Sequence, residues 1–210
     1  MEYEKSSNQR KRIIRNSYTR SWGLKMSKDR HAEIKELAVE IGALLYGSFT
    51  LSAGGKNSPF YFDGRLLTLN PKGSYLVAKA LLPLVISSGA EAIAGPTLGA
   101  DPIVAAVSML SHNQGTPIPG LIVRSQPKSH GTQKLIEGAV KPGLKVAVVD
   151  DTCSTGKSIF HAMTELEKEG CEITSVFSIL DRNEGGSKEI KSRGYKFESL
   201  LSATPAGIIN

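Results

Sequence analysis

Apolar runs of two kinds alternate along most of the chain. Short runs, typical of buried strands, lie at 91–95, 119–123, 145–149, 173–180 and 195–201. Longer stretches at 30–46, 71–88, 103–110 and 159–169 repeat apolar residues every three or four positions and predict helices. An aromatic segment at 49–65, with a glycine turn inside it, predicts a hairpin. This alternation predicts an α/β domain with a doubly wound, mainly parallel sheet.

The stretch at 145–158 combines a strand signal with candidate chemistry. Asp150 and Asp151 follow its apolar run, and small hydroxylated residues and Gly156 lead into the next predicted helix. Ligands of open α/β sheets bind beyond the carboxyl ends of strands, where backbone N–H groups at a helix start can hold an anion. The two acids would repel a phosphate and suit ribose hydroxyls, contacted directly or through a metal. One ligand that carries both a ribose and a phosphate fits the whole stretch.

Two other interpretations of this stretch are weaker. Gly156-Lys157-Ser158 ends like a P-loop, but the P-loop glycine five residues earlier is replaced by Asp151, which would oppose the phosphates. An ordinary helix capped by Ser154 or Thr155 is also possible. That interpretation does not require paired acids at a buried strand end.

Three further segments fall at the same predicted edge of the sheet. The loop at 96–102, rich in glycine and proline, is a second candidate phosphate site. The loop at 124–134 concentrates cations, and is either a solvated loop or a mobile flap that neutralises a departing anion and excludes water. Arg182 follows the strand at 173–180, and is either a surface or salt-bridge residue or a partner for a ligand carboxylate.

Charge and composition narrow the classes of function. The net charge of +6 comes from residues 1–30, which hold nine Lys/Arg against three acids, so the folded part is neutral and gives no sign of nucleic-acid binding. We expect residues 1–26 to be a disordered basic extension that is dispensable, with Met26 as a reasonable start. Cys153 and Cys171 form no metal spacing and predict reduced thiols in a cytoplasmic protein, and neither a membrane span nor a secretory signal is expected.

Taken together, these segments resemble the type I phosphoribosyltransferase family, and in particular its orotate-specific members. The resemblance rests first on Val-Val-Asp-Asp-Thr-Cys-Ser-Thr-Gly-Lys-Ser at 148–158 and extends, in family order, over about 32–201. It implies a single domain at 27–210 with a small hood, made of about 48–66 and the C-terminal strand. It also implies a binding segment for phosphoribosyl diphosphate (PRPP) made of Asp150, Asp151, Thr152, Cys153, Ser154, Thr155, Gly156, Lys157 and Ser158.

The resemblance also implies roles outside this segment. The diphosphate would lie on the backbone of Thr97, Leu98 and Gly99, with Mg²⁺ held mainly by PRPP and no dedicated protein ligand set. The implied catalytic residues are Arg124, Lys128, His130 and Asp151, and the implied orotate-binding residues are Tyr61, Phe62, Ser154 and Arg182. Lys56 does not align cleanly with a lysine of the family. The loop at 124–134 would reach into the neighbouring subunit of a homodimer, and Gly99 and Ser125 stand where some members have lysine.

The implied reaction transfers ribose 5-phosphate from PRPP to orotate and releases diphosphate in the cytoplasm. A phosphoribosyltransferase for another base would share the paired acids but not the aromatic hood with Arg182. A non-catalytic PRPP sensor that binds nucleic acid through the basic extension is a further alternative, and the retained basic loop argues against it.

Overall fold

The computed structural model describes residues 27–50, 57–127 and 134–210. In chain order its elements are α1 (Ser27–Glu40), β1 (Leu44–Thr50), β2 (Asn57–Phe62), α2 (Gly64–Thr68), α3 (Pro71–Ser87), β3 (Ala92–Pro96), α4 (Asp101–Asn113), β4 (Gly120–Val123), β5 (Ile136–Glu137), β6 (Lys145–Cys153), α5 (Lys157–Lys168), β7 (Glu172–Asp181), α6 (Gly186–Ser192) and β8 (Phe197–Ser202). The predicted order of strands and helices is confirmed from α3 onward, except that the two-residue β5 was not predicted.

The central sheet has the order β5-β4-β3-β6-β7-β8. Strands β4, β3, β6, β7 and β8 run parallel, and the two-residue β5 pairs antiparallel with β4. The chain goes from β3 to β4 on one side and from β6 to β7 on the other, so the winding direction switches between β3 and β6. A crevice opens at the carboxyl ends of strands where a sheet of this kind switches direction.

Both faces of the sheet are buried, which confirms the doubly wound prediction. Ile93, Ala147 and Val149 belong to one apolar cluster, which also includes residues of α1, α3 and α4. Their neighbours Ala94 and Val148 belong to a second cluster, on the face covered by α5 and α6. Successive side chains of a strand point to opposite faces, so a continuous apolar run is what a strand covered on both sides requires.

The predicted helix at 30–46 is wrong at its end. Helix α1 stops at Glu40, and Gly42 adopts a left-handed conformation with φ of +74°. Leu44 and Leu45 then lie in β1 and pair with β2 opposite Phe62 and Tyr61. Apolar positions 44 and 45 fit the helical spacing of the preceding residues as well as they fit a strand, and only the pairing with β2 separates the two.

Strands β1 and β2 form the predicted hairpin as a separate two-stranded sheet. The last strand differs from its expected place with the hood, because β8 pairs in parallel with β7 in the central sheet. The chain beyond β8 contacts the hairpin instead. Gly207 packs so closely against Pro59 that a Cβ atom would overlap the proline ring.

Candidate active site

Strand β6 runs further than its apolar residues predict. Asp150 pairs with Ser178 of β7, and Thr152 and Cys153 continue the same ladder, so these three residues belong to the strand. The connection to α5 is therefore limited to 154–156, which is shorter than the gap between the predicted strand at 145–149 and the predicted helix at 159–169. A partner strand of ten residues holds the polar end of β6 in place, and the local sequence does not show this.

Asp150 is a buried carboxylate, with 5% of its surface exposed. Its Oδ1 accepts a hydrogen bond from the Asp151 N–H at 2.9 Å, and its Oδ2 accepts one from the Ser158 hydroxyl at 2.7 Å. Burial, and next the charge of Asp151, raise the pKa of Asp150 to about 7. Burial also raises the pKa of Asp151. Two acids destabilised in this way favour a ligand that brings hydroxyl donors or a cation.

Helix α5 begins without a side-chain cap. Its N-cap residue is Gly156, with φ of +80°, and no side chain accepts a hydrogen bond from the first turn, so capping by Ser154 or Thr155 is not observed. The first N–H groups of a helix have no partner within the helix and attract anions. The start of α5 is therefore suited to a phosphate, beside the carboxylates of β6.

Gly186, at the start of α6, contacts this loop, although the sequence predicted it only as the beginning of a helix and not as a site residue. Its N–H donates to the Ser154 carbonyl at 2.9 Å. A Cβ atom at Gly186 would lie 2.6 Å from the Gly156 nitrogen and 2.7 Å from the Ser154 oxygen. The start of α6 therefore touches the backbone of the candidate phosphate loop, and the Gly185-Gly186 pair in the sequence was the available signal.

One cavity of about 280 Å³ collects the candidate residues from four segments. It is lined by Tyr61, Phe62, Asp63, Gly64, Arg65, Pro96, Thr97, Leu98, Gly99, Asp150, Asp151 and Ser158. The predicted contributions of the hairpin, of the 97–99 loop and of the acids thus meet in one place. Asp63, Gly64 and Arg65, directly after the aromatic strand, were missed as site residues.

Two glycines let the backbone approach Asp151. A Cβ atom at Gly64 would lie 2.6 Å from Asp151 Oδ2, and one at Gly99 would lie 2.8 Å from Asp151 Oδ1. Real Cβ atoms do not come this close to other heavy atoms. The absence of a side chain at position 99 is therefore tied to the tight packing around the carboxylates.

Arg182 and Ser154 do not line this cavity. The Arg182 guanidinium lies 4.4 Å from the centre of the Phe60 ring, and its Nη2 donates to Ser58 Oγ at 3.1 Å. Its Nε donates to Glu184 Oε1 at 2.9 Å, and the side chain is 7% exposed. The salt-bridge interpretation of Arg182 is thus observed, and the residue connects the end of β7 with the hairpin.

The predicted basic loop is described only in part, since Lys128 and His130 lie outside the described residues, as does Lys56. Arg124 is described, and its Nη1 lies 3.6 Å from Glu137 Oε1. Its carbonyl accepts a hydrogen bond from His161 Nε2 at 2.9 Å, which requires the Nε2-protonated form of the imidazole. His161, on α5, was not predicted, and it connects the helix of the phosphate loop to the start of the basic loop.

Three further observations concern the thiols, metal binding and membrane spans in the described part of the chain. Cys153 and Cys171 are buried free thiols. No cluster of three or more His, Cys, Asp or Glu in the described ranges could hold a metal ion by itself. No helix in the same part of the chain is long and apolar enough to cross a membrane.

A doubly wound sheet that ends in paired acids, next to an uncapped helix start and under a small hairpin, is the architecture of the type I phosphoribosyltransferases. Solved structures agree with this class. The orotate phosphoribosyltransferase of Mycobacterium tuberculosis matches with a TM-score of 0.73 and 34% identity, covering 85% of this chain and 99% of that one. Its complex with PRPP matches with a TM-score of 0.69 and 31% identity, covering the same shares of the two chains.

Curated relatives identify the family. The orotate phosphoribosyltransferase of a Nostoc species is 43% identical over 157 residues, which are 74% of this chain and 75% of the relative. That of Aquifex aeolicus is 41% identical over 153 residues, which are 73% of this chain and 83% of the relative. No protein-family model matches the chain. The chain belongs to the orotate phosphoribosyltransferase family.

Proposed function

We propose that this protein transfers ribose 5-phosphate from PRPP to orotate, giving orotidine 5'-monophosphate and diphosphate. The observation that carries this proposal is the single cavity that joins Asp150 and Asp151 to the aromatic hairpin, beside the uncapped start of α5. A ligand with a phosphate, ribose hydroxyls and a planar base has a matching partner at each of these places. Family membership supports the choice of orotate.

The sugar phosphate is assigned to the end of β6. Its 5-phosphate binds the N–H groups between Ser154 and Ser158 at the start of α5, together with the Thr155 hydroxyl. The Ser158 hydroxyl already donates to Asp150, so Ser158 contributes its N–H. Asp150 and Asp151 accept hydrogen bonds from the ribose hydroxyls, and no acidic residue lies within the first turn of α5 itself.

The base is assigned to the space under the hairpin. Phe62 is 9% exposed and Tyr61 40% exposed, and both line the cavity, where they border a planar ring. Arg182, through its guanidinium fork, and the Ser154 hydroxyl are assigned to the orotate carboxylate. Neither lines the cavity, so both side chains must turn toward the bound base. Glu184 now occupies the Arg182 Nε, which leaves the Nη1 group and the remaining Nη2 hydrogen for the ligand.

The leaving diphosphate is assigned to the backbone of Thr97, Leu98 and Gly99 and to the basic loop. Cations of this loop, Arg124, Lys128 and His130, neutralise the charge that develops as the bond to ribose breaks. A positioned donor of this kind is worth about 3 kcal/mol, or about a hundredfold in rate. The transfer calls for no covalent nucleophile, so we assign the catalysis to positioning and to electrostatic stabilisation of an oxocarbenium-like centre.

Mg²⁺ fits this site as a cofactor carried by the substrate. Asp150 is buried and Asp151 half-buried, both have raised pKa values, and a cation on the diphosphate side relieves their repulsion. Mg²⁺ usually keeps waters and substrate phosphates as ligands and takes one or two carboxylates from the protein. Bound there, it would neutralise diphosphate charge.

The proposal extends to the assembly and the location of the protein. We place loop 124–134 across the interface of a homodimer, where it covers the partner subunit's site. The single catalytic domain spans 27–210, with residues 1–26 as an extension. Two unpaired buried cysteines support a reducing compartment, and we place the enzyme in the cytoplasm.

The test is the loss of orotate absorbance in the presence of PRPP and Mg²⁺. We expect turnover by the parent protein, and losses of a hundredfold or more for Asp151→Asn and about a hundredfold for Lys128→Ala. Glu172→Gln is the matched control, because this exposed acid lies at the opposite edge of the sheet. If the parent protein is active and both site variants are equally active, the assignment of the residues is refuted.

Substrate choice separates the alternatives. Turnover of adenine, guanine or xanthine in place of orotate would favour a phosphoribosyltransferase for another base. The adenine phosphoribosyltransferase of Leishmania donovani shares only the fold with this chain, at 17% identity and a TM-score of 0.56. Nucleic-acid binding that weakens with salt, without turnover of any base, would favour the non-catalytic PRPP sensor.

A further inference from the structure

The cavity at the end of β6 has an unusual charge balance for a site that receives a diphosphate. Its described lining contains three acids, Asp63, Asp150 and Asp151, and one cation, Arg65. The loop at 97–99 supplies no cationic side chain, and position 125 is a serine. Among the described lining residues, the positive charge available to an anionic ligand therefore comes from Arg65.

Arg65 is held beside the carboxylates by its backbone. It lies in the first turn of α2, where Asp63 Oδ1 accepts hydrogen bonds from the N–H groups of Arg65 at 3.1 Å and of Leu66 at 3.2 Å. Gly64 sits against Asp151 without room for a side chain, which brings the next residue close to the acids. The Arg65 charge is close enough to oppose the burial that raises the pKa of Asp151.

The Arg65 side chain has room to bind a ligand. It is 51% exposed, and its contact with Asp63, at 3.8 Å between Nε and Oδ1, is a loose ion pair. A guanidinium presents five N–H donors in a planar fork that matches phosphate oxygens. Arg124 has a similar contact, with its Nη1 3.6 Å from Glu137 Oε1, but it does not line the cavity.

We propose that Arg65 is a substrate-binding residue that contacts the diphosphate group of PRPP from the hairpin side of the cavity. This assignment rests on the proposed function, because it takes the diphosphate as the anion that enters the site. Arg65 thereby supplies positive charge that the 97–99 loop lacks. It also offsets part of the negative charge of the three acids that line the same cavity.

The experiment compares Arg65→Gln and Arg65→Lys with Lys72→Gln. Lys72 is an exposed lysine of α3 outside the cavity, so its variant makes the same change in net charge. Two quantities are measured for each protein: the affinity for Mg²⁺-diphosphate by titration calorimetry, and the separate KM values for PRPP and orotate. A thermal melt verifies that each variant is folded.

We expect Arg65→Gln to weaken diphosphate binding and to raise the KM for PRPP by about tenfold or more, the size of one charge-assisted hydrogen bond. The KM for orotate should stay within about twofold, Arg65→Lys should fall between, and Lys72→Gln should match the parent. Equal diphosphate affinity in Arg65→Gln and Lys72→Gln would overturn the inference, as would an equal rise in both KM values. A parent that binds diphosphate but does not consume orotate would count against the proposed function alone.

Discussion

The close contact between α6 and the phosphate loop predicts a selective defect for Gly186→Ala. The new Cβ atom would meet three backbone atoms at 2.6–2.7 Å, those of Ser154, Thr155 and Gly156. Relief to an ordinary contact of 3.4 Å requires a displacement of roughly 0.8 Å, and backbone atoms cannot rotate away as a side chain can. A misplacement of this size in a binding loop costs up to about a hundredfold in rate, and overpacking costs about 1–3 kcal/mol of stability.

Gly185→Ala is the matched control for this variant. Gly185 has a φ of +106° and no atom within 4 Å of its Cβ position, so alanine there strains the backbone without touching the loop. That strain is worth about 1–3 kcal/mol, similar to the cost expected at Gly186. The two variants should therefore unfold at similar denaturant concentrations and differ in PRPP binding.

The assay is the KM for PRPP together with the affinity for ribose 5-phosphate, measured below the unfolding transition. We expect Gly186→Ala to raise the KM for PRPP by about ten- to a hundredfold, and Gly185→Ala to change it by less than about threefold. Equal KM values for the two variants would refute the reasoning, because the loop would then have absorbed the new methyl group without losing its shape.

Three further predictions concern single side chains. Burial and the charge of Asp151 raise the pKa of Asp150 to about 7, above that of a carboxyl in the unfolded chain. The contribution of this shift to the stability of the folded protein is therefore full below about pH 4 and is lost as the pH rises through 7. Asp150→Asn should flatten the pH dependence of the free energy of unfolding across that window. An unchanged slope would show that the pH dependence does not come from Asp150. His161→Ala should lower kcat about fivefold, because the Arg124 carbonyl loses its hydrogen bond, and should leave the KM for orotate unchanged. His161→Gln should recover the parent's kcat. A kcat that falls in both variants would attribute the effect to packing instead. Burial raises the pKa of Cys153 to about 12, so iodoacetamide at pH 7.5 should label this thiol only after unfolding, as mass spectrometry of the native and denatured protein would reveal.

The sequence by itself determined the fold class and predicted the centre of the candidate site. The apolar run of β6 has buried residues on both faces, which only a strand covered on both sides can accommodate, and the acids follow that run directly. The period of a strand and the needs of a phosphate loop are local properties. Asp150, Asp151 and Gly156 can therefore be predicted as residues of the candidate site from the amino-acid sequence alone. The helices α3, α4 and α5 follow from the same local periodicity.

Tertiary structure decided what depends on pairing and on close approach. Positions 44 and 45 join β1 because β2 pairs with them, although their spacing also fits a helix. The roles of Gly64 and Gly186 follow from backbone segments far apart in the chain that meet within a few ångströms, and nothing in their neighbouring residues encodes that distance. Arg65 was overlooked for the same reason. Its charge interacts with the carboxylates of β6 only after folding places α2 beside them, because electrostatic interactions depend on separation in space and not along the chain.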